Sequence, residues 1–177
     1  MAGNEQMRFS DRKRVQMDFN WPDPPMNIVL VEPSIPPNTG NASRLCAATG
    51  SRLHLVEPLG FDIDERAVRR AGLDYWDSVD LSVYPDFDTF LERNPSGRTF
   101  FFSTAGKRNF HEVEYHPGDY FIFGNETVGL PDELLAAQDP DHVLNIPVRL
   151  DAVRSLNLSN CAAIVLYESL RQCNGFF

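Results

Sequence analysis

Three short segments of this sequence carry more polar and small residues than a connection between two elements needs. The first is residues 38–44 (NTGNASR). If a helix begins near Thr39, Arg44 lies more than one turn inside it and can reach over the helix N-terminus, where backbone amides gather anions such as phosphate. Arginine is always charged and binds phosphate in bidentate fashion. On its own, however, this segment favours a simpler interpretation, a capped helix with a surface arginine.

The second segment, residues 124–131 (GNETVGLP), directly follows the apolar run 121–123. Its two glycines allow a ligand to approach the backbone closely. Glu126 lies between them, where a carboxylate is costly unless it is paired or exposed. A glycine-bearing turn between a strand and a helix is about as consistent with this segment as a binding site.

The third segment is residues 155–160 (SLNLSN), which open the longest apolar-periodic stretch of the chain. Four small polar side chains lie there, more than one N-cap requires. An over-decorated helix cap is the alternative, but the pattern favours a binding role. Just before it, Arg149 and Arg154 follow the pair Ile146-Pro147.

The elements that must position these segments alternate between strands and helices along the chain. The predicted strands are 27–32, 52–57, 79–84, 98–103, 120–123 and 142–146, and the predicted helices are 38–49, 62–70, 85–93, 131–137 and 156–173. Such alternation predicts an α/β fold with a mostly parallel sheet flanked by helices. Because ligands bind where parallel strands end, attention falls on the loops 33–44, 124–131 and 147–157.

The length of 177 residues predicts one globular domain, over residues 26–177. Residues 1–25 are polar and end in WPDPP, with no apolar alternation. Prolines interrupt periodic structure, so these residues are predicted to be a flexible or loosely docked extension.

The composition excludes several classes of protein. A formal net charge of −9 argues against a surface that attracts nucleic acid everywhere, although local arginine patches stay possible. Three widely spaced cysteines exclude a disulfide scaffold and a zinc ribbon, and they fit a reducing compartment. No apolar run reaches the roughly 18 residues of a membrane span, so a cytoplasmic protein is expected.

Motifs for other chemistry are missing from the sequence. No glycine-rich dinucleotide fingerprint, P-loop or nucleophile elbow occurs. His111 and His116 imitate a metalloprotease pair, but their spacing of five residues would make the two rings diverge on a helix. No metal site is therefore expected.

Taken in order, the three segments resemble the three motifs of the SPOUT superfamily of RNA methyltransferases. Residues 35–41 (IPPNTGN) and 69–75 (RRAGLDY) further resemble its minimal branch, the tRNA wobble-nucleotide 2′-O-methyltransferases. The resemblance extends from residue 27 to about residue 171. It implies a deep trefoil knot in the C-terminal part of the chain, a homodimer, and S-adenosylmethionine as methyl donor without a metal. The implied substrate is the wobble cytidine or uridine in the anticodon stem-loop of tRNA, with leucine isoacceptors expected.

The resemblance also assigns roles to individual residues. Arg44 occupies the family's catalytic position, and we expect it to hold a phosphate and the developing alkoxide, because arginine effectively never loses its proton. Asn38 and Glu126 would fix Arg44 or the ribose, and Ser155 and Asn157 would hold nucleotide and cofactor. The implied cofactor contacts are Phe102, Gly124, Leu130, Ile146, Ser155 and Leu156. The RNA-binding candidates are Arg69, Arg70, Arg149 and Arg154.

Two other functions stay open at this point. One is a methyltransferase of the same fold that acts on another tRNA nucleotide or on ribosomal RNA. The other is a knotted RNA-binding protein that has lost catalysis, which the joint presence of Arg44, Glu126 and Ser155 makes less favourable.

Overall fold

A computed structural model describes residues 18–61 and 78–174. The described residues form seven strands, β1 (Asn27–Val31), β2 (Arg52–Val56), β3 (Leu81–Tyr84), β4 (Thr99–Phe102), β5 (Arg108–Asn109), β6 (Tyr120–Phe123) and β7 (Val143–Asn145). All pair in parallel in one sheet, in the order β3-β2-β1-β6-β4-β7-β5. The described helices are α1 (Pro36–Thr49), α2 (Phe87–Arg93), α3 (Asp132–Ala136) and α4 (Leu158–Cys173).

Two apolar cores lie on opposite faces of the sheet. Side chains alternate across a strand, so Ile28 and Leu30 of β1 enter one core while Val29 and Val31 enter the other. The first core contains the buried faces of α1 and α4. The second is covered by α2 and α3. The predicted α/β architecture, a parallel sheet between helices, is therefore confirmed.

Helix α1 begins earlier than the sequence predicted. Asn38 or Thr39 was expected as its N-cap, but the helix begins at Pro36 with Ile35 as its cap. Proline is tolerated there because its missing N–H would have no partner in the first turn. The predicted end is correct, since Gly50 adopts a left-handed conformation (φ 68°) as C-cap. Arg44 consequently lies about 12 Å along the helix from its first residue.

Two smaller differences follow from local chemistry. Helix α2 was predicted to begin at Pro85, but Asp86 caps it by accepting a hydrogen bond from the Thr89 amide at 2.7 Å. Strand β5 was missed because two residues are too few for a periodic pattern. It pairs with β7 at one edge of the sheet.

The predicted helix 62–70 and the candidates Arg69 and Arg70 lie outside the described residues.

The first described residues contact the end of the last helix. Asn20 exchanges hydrogen bonds with Asn174, which follows α4. The division into an extension over 1–25 and a domain from residue 26 stays a prediction.

No helix among the described residues is long and apolar enough to cross a membrane. The same part of the chain holds no group of three or more His, Cys, Asp or Glu side chains arranged to bind a metal ion.

A buried polar network links three strands on the α2 side of the sheet. Asn27 donates its amide hydrogens to backbone carbonyls, including Gly118 O at 3.0 Å, so its Oδ1 accepts from His54 Nε2 at 3.2 Å. His54 Nδ1 then accepts from the Tyr84 hydroxyl at 3.0 Å. These partners assign the neutral imidazole with its hydrogen on Nε2. Burial, and to a smaller extent the nearby Arg52, lowers the pKa of His54 to about 4.

This network predicts a loss of stability in acid. The unfolded chain binds a proton on His54 near pH 6.5, whereas the folded protein does so only near pH 4. The unfolding free energy should therefore be fully retained above pH 6.5 and fall by roughly 3 kcal/mol as the pH drops to 4. Urea denaturation across this pH range measures the unfolding free energy. In His54→Gln the fall over this range should be smaller by that amount, and parallel curves for the two proteins would contradict the prediction.

Candidate active site

A cavity of about 350 Å³ lies at the carboxyl edge of the sheet. Its walls come from the segments that follow β4, β6 and β7, together with the start of α4. This is the edge at which parallel α/β sheets bind ligands. All six residues predicted to contact the cofactor line it, namely Phe102, Gly124, Leu130, Ile146, Ser155 and Leu156. The structure thus brings these residues together, and their contact with a cofactor stays a prediction.

Two stacked aromatic rings form part of the cavity lining. Phe102 stacks on Phe123 with ring centroids 4.8 Å apart and planes within 16°. Both rings are almost completely buried between β4 and β6. A bulky phenylalanine therefore fits at position 102 because the neighbouring strand supplies a parallel ring.

The wall after β6 is a tight turn that depends on glycine. Asn125 and Gly129 form an antiparallel bridge, and the Gly129 amide donates to Asn125 O at 2.8 Å. The chain returns so closely that a Cβ on Gly124 would lie 2.2 Å from the carbonyl carbon of Gly129. Gly129 itself has φ 75°, in the left-handed region. The turn interpretation of these glycines is correct, and the turn is also part of the cavity wall.

Glu126 is bound at the N-terminus of α1, which lies about 90 residues earlier in the chain. Its Oε2 accepts from the Ser34 amide at 2.8 Å and from the Ser34 hydroxyl at 2.9 Å. Its Oε1 accepts from the Ile35 amide at 3.2 Å and from Asn38 Nδ2 at 3.0 Å. The Glu126 carboxylate therefore binds the two backbone amides directly before α1, where a negative charge is favourable. A phosphate contact near Arg44 stays a prediction.

These hydrogen bonds decide the charge of Glu126. Partial burial alone would raise the pKa of its carboxyl, but the bonds from Ser34 and Asn38 outweigh burial and hold that pKa below its ordinary value. At neutral pH Glu126 is an anion with both oxygens engaged. It therefore connects the second segment firmly to the first.

The third segment joins the same network. Asn157 caps α4 by accepting from the Ser159 amide at 3.0 Å and the Ser159 hydroxyl at 2.7 Å. Its amide nitrogen donates to Asn38 Oδ1 at 2.8 Å. The capping interpretation is thus correct for Asn157, and the side chain also connects α4 to α1. Glu126, Asn38 and Asn157 form one continuous link between the three segments.

The remaining predicted residues lie around this link. Arg44 is exposed on α1, and Ser155 is exposed at the cavity wall. Arg154 also lines the cavity. Arg149 pairs with Asp151 at 2.7 Å, and both side chains are largely exposed. Their roles toward RNA or cofactor stay predictions.

Two groups of residues escaped sequence reasoning. One is Ser34, whose amide and hydroxyl both bind Glu126. The other is the segment after β4, where Ser103, Thr104 and Ala105 line the cavity. A signal for the second group was present, since the predicted strand 98–103 ends in Ser103 and is followed by small residues.

Comparison with known proteins identifies the family of this chain. The sequence pattern described as the SpoU rRNA Methylase family matches residues 25–167. A protein of Burkholderia pseudomallei named tRNA (cytidine(34)-2′-O)-methyltransferase is 50% identical over 148 residues, which cover 82% of this chain and 94% of the relative. A protein of the same name from Escherichia coli K12 is 48% identical over 147 residues, 83% of this chain and 93% of the relative.

Solved structures agree with the observed fold. A structure described as giving insight into the 2-OH methylation of C/U34 on tRNA superposes with a TM-score of 0.77 at 44% identity, covering 83% of this chain and 95% of the other. An AdoMet-bound rRNA methyltransferase from Sinorhizobium meliloti superposes with a TM-score of 0.72 at 23% identity, covering 82% of this chain and 56% of the other, which is a likeness of fold alone. With the family pattern matched over most of the sequence, and with relatives at about 50% identity, this chain belongs to the SpoU methylase family.

Proposed function

We propose that this protein transfers a methyl group from S-adenosylmethionine to the ribose 2′-hydroxyl of the wobble cytidine or uridine of tRNA. The observation that carries the proposal is that the second and third segments line one cavity, and that hydrogen bonds of Asn38 to Glu126 and Asn157 connect the first segment to both of them. The family description refers to rRNA. The relatives that are about half identical are named for tRNA cytidine 34 instead, and this favours tRNA over the ribosomal alternative.

The cavity fits the methyl donor in size and in chemistry. Small-molecule sites commonly enclose about 300–1,000 Å³, and this one encloses about 350 Å³. Its walls combine apolar side chains, such as Leu130, with polar ones, such as Thr104 and Asn145, and the loop amides and carbonyls between them can bind an adenosine. Phe102, Gly124, Leu130, Ile146, Ser155 and Leu156 would hold it. When bound, S-adenosylmethionine supplies an electrophilic methyl group on a positively charged sulfonium.

Arg44 can stabilise the ribose oxygen that attacks the methyl group. The ribose hydroxyl is a weak acid and has to lose its proton at or after attack. A guanidinium that keeps its charge stabilises the negative charge that develops on the oxygen, and it orients the neighbouring phosphate. Glu126 is not free to take the proton, because both of its oxygens accept hydrogen bonds from residues 34–38. Its role is to hold the start of α1, the helix that carries Arg44, against the turn after β6 that forms one wall of the cavity.

Recognition of tRNA would use arginines of the 147–157 loop beside the cavity. Arg154 lies on the cavity wall, and Arg149 is held by Asp151. An exposed ion pair contributes little stability, about 0–1 kcal/mol, so Arg149 can exchange its carboxylate for a phosphate at low cost. Binding of this kind weakens steeply with added salt, and the salt dependence of tRNA affinity tests it.

The trefoil knot is supported by the order of the strands. Strand β6 lies between β1 and β4, and β7 lies between β4 and β5. Each of these two strands is thus inserted between two strands that precede it in the chain. A late strand inserted between two earlier ones agrees with a knotted C-terminal part.

A homodimer is supported by exposed apolar side chains on α4 and at the start of α1. Ile164 and Tyr167 are 37% and 55% exposed on α4, one turn apart, and Ile35 is 42% exposed at the start of α1. A second copy that covers these residues would also contact the helix N-terminus that holds Glu126. Tyr167→Glu should therefore convert a dimer into monomers and lower methylation, as sedimentation velocity and the methylation assay measure. A wild-type protein that sediments as a monomer would contradict the dimer.

The experiment that tests the function is a methylation assay on bulk tRNA with nucleoside mass mapping. Wild-type protein should place one methyl group on the ribose of nucleotide 34. Methylation at another nucleotide, or of ribosomal RNA only, would replace the proposed substrate with the corresponding alternative. RNA binding without any methyl transfer would identify a catalytically silent protein.

A further inference from the structure

We infer that Gly60 is a positioning residue for Glu126, although it lies outside the three motif segments. The inference rests on the proposed function, because it concerns how the same site is held. Gly60 lies four residues beyond the end of β2, in a turn packed against the chain that leaves β1. Its amide donates to Pro33 O at 3.0 Å. This turn therefore contacts the segment that binds Glu126.

The contact leaves no room for a side chain at position 60. A Cβ there would lie 2.7 Å from Ser34 Cα and 2.8 Å from Ser34 O. Because these are backbone atoms, they cannot move aside as the end of a flexible side chain can. The Gly60 backbone is not in the left-handed region, so close approach to Ser34, rather than an unusual φ, is what requires glycine.

Ser34 is the residue through which Gly60 acts. It supplies two of the four hydrogen bonds to Glu126, at 2.8 and 2.9 Å, and Ile35 beside it supplies a third. Displacing Ser34 by even a few tenths of an ångström would lengthen these bonds together. Glu126 would then hold Asn38 less firmly, and Asn38 is the side chain that reaches Asn157 of the third segment.

Gly60→Ala should therefore change the site while the fold is kept. We expect the methyl-transfer rate in a single turnover to fall on the order of 10-fold, because about 1 Å of misplacement can cost about 100-fold and the displacement of Ser34 is smaller than that. The KM for tRNA should stay within about threefold, because no RNA-binding candidate is altered. Having lost part of its hydrogen bonding, the Glu126 carboxyl should titrate at higher pH than in the wild type. Carbon-13 NMR of labelled glutamate measures that titration without any methyl transfer.

Gly97→Ala is a matched control. A Cβ at Gly97 would lie 2.1 Å from the ring of Tyr120, so this variant also forces a crowded contact, but the contact lies far from Glu126 in the fold. It should lose stability without altering either the rate or the Glu126 titration. A rate loss in Gly97→Ala as large as that in Gly60→Ala would overturn the inference, because it would show a general effect of destabilisation.

A second variant keeps the inference testable if Gly60→Ala does not fold. Leu59 packs partly buried against the core and anchors the same turn. Leu59→Ala should shift the Glu126 titration in the same direction by a smaller amount. An unchanged Glu126 titration in whichever of these variants folds would overturn the inference. If wild-type protein transfers no methyl group at all, the proposed function fails, whereas the titration still decides the role of Gly60.

Discussion

Arg44→Ala is expected to lower the single-turnover rate of methyl transfer by on the order of 100-fold to 1,000-fold, the usual cost of removing one preorganised electrostatic contact to a reacting oxygen. Binding of S-adenosylmethionine should be unchanged, because Arg44 is not among the residues that line the cavity. The effect should therefore lie in the rate of the chemical step and not in cofactor affinity, and rapid-quench kinetics with saturating cofactor measures it.

Two further variants sharpen this expectation. Arg44→Lys keeps the positive charge but loses the planar, bidentate geometry, so its rate should lie between those of the wild type and the alanine variant. Arg93→Ala removes an exposed arginine on α2, on the opposite face of the sheet from α1. It should methylate at close to the wild-type rate. A near-wild-type rate for Arg44→Ala would refute the assigned role.

Local patterns were enough to predict the frame of this site. Alternating strands and helices predicted the parallel sheet, and the carboxyl ends of the strands indicated the loops that line the cavity. The six cofactor candidates came from the family resemblance and not from their side chains, which are mostly small or apolar. They lie together because the strand order brings β4, β6 and β7 next to one another, a fact that no single segment contains.

What could not be predicted depends on contacts between distant parts of the chain. Glu126 was recognised as a costly carboxylate, but its partners lie about 90 residues away, in a loop whose hydrogen bonds are made partly by backbone amides. Every residue except proline carries a backbone N–H donor, so residue types do not show which of these donors will bind a carboxylate. The early start of α1 has a similar cause, since Pro36 and Pro37 suggest a loop although proline is compatible with the first helical turn. Gly60 is an ordinary loop glycine until its distance to Ser34 is known.

Gly124→Ala is expected to have the other large effect, a loss of cofactor affinity. A Cβ there would lie 2.2 Å from Gly129 C and 2.3 Å from Leu130 N, so the turn after β6 has to open. Ordinary overpacking costs about 1–3 kcal/mol, and opening a turn that is itself the cavity wall should lower cofactor affinity by on the order of 100-fold. Calorimetry with S-adenosylhomocysteine measures this affinity.

Gly50→Ala is the control. It strains a left-handed C-cap by about 1 kcal/mol, but a Cβ there meets open space away from the cavity, so this variant should bind the cofactor with wild-type affinity. Wild-type affinity in Gly124→Ala would show that the donor binds elsewhere. Loss of rate in Arg44→Ala and loss of affinity in Gly124→Ala would together separate the group that acts on the ribose oxygen from the wall that holds the methyl donor.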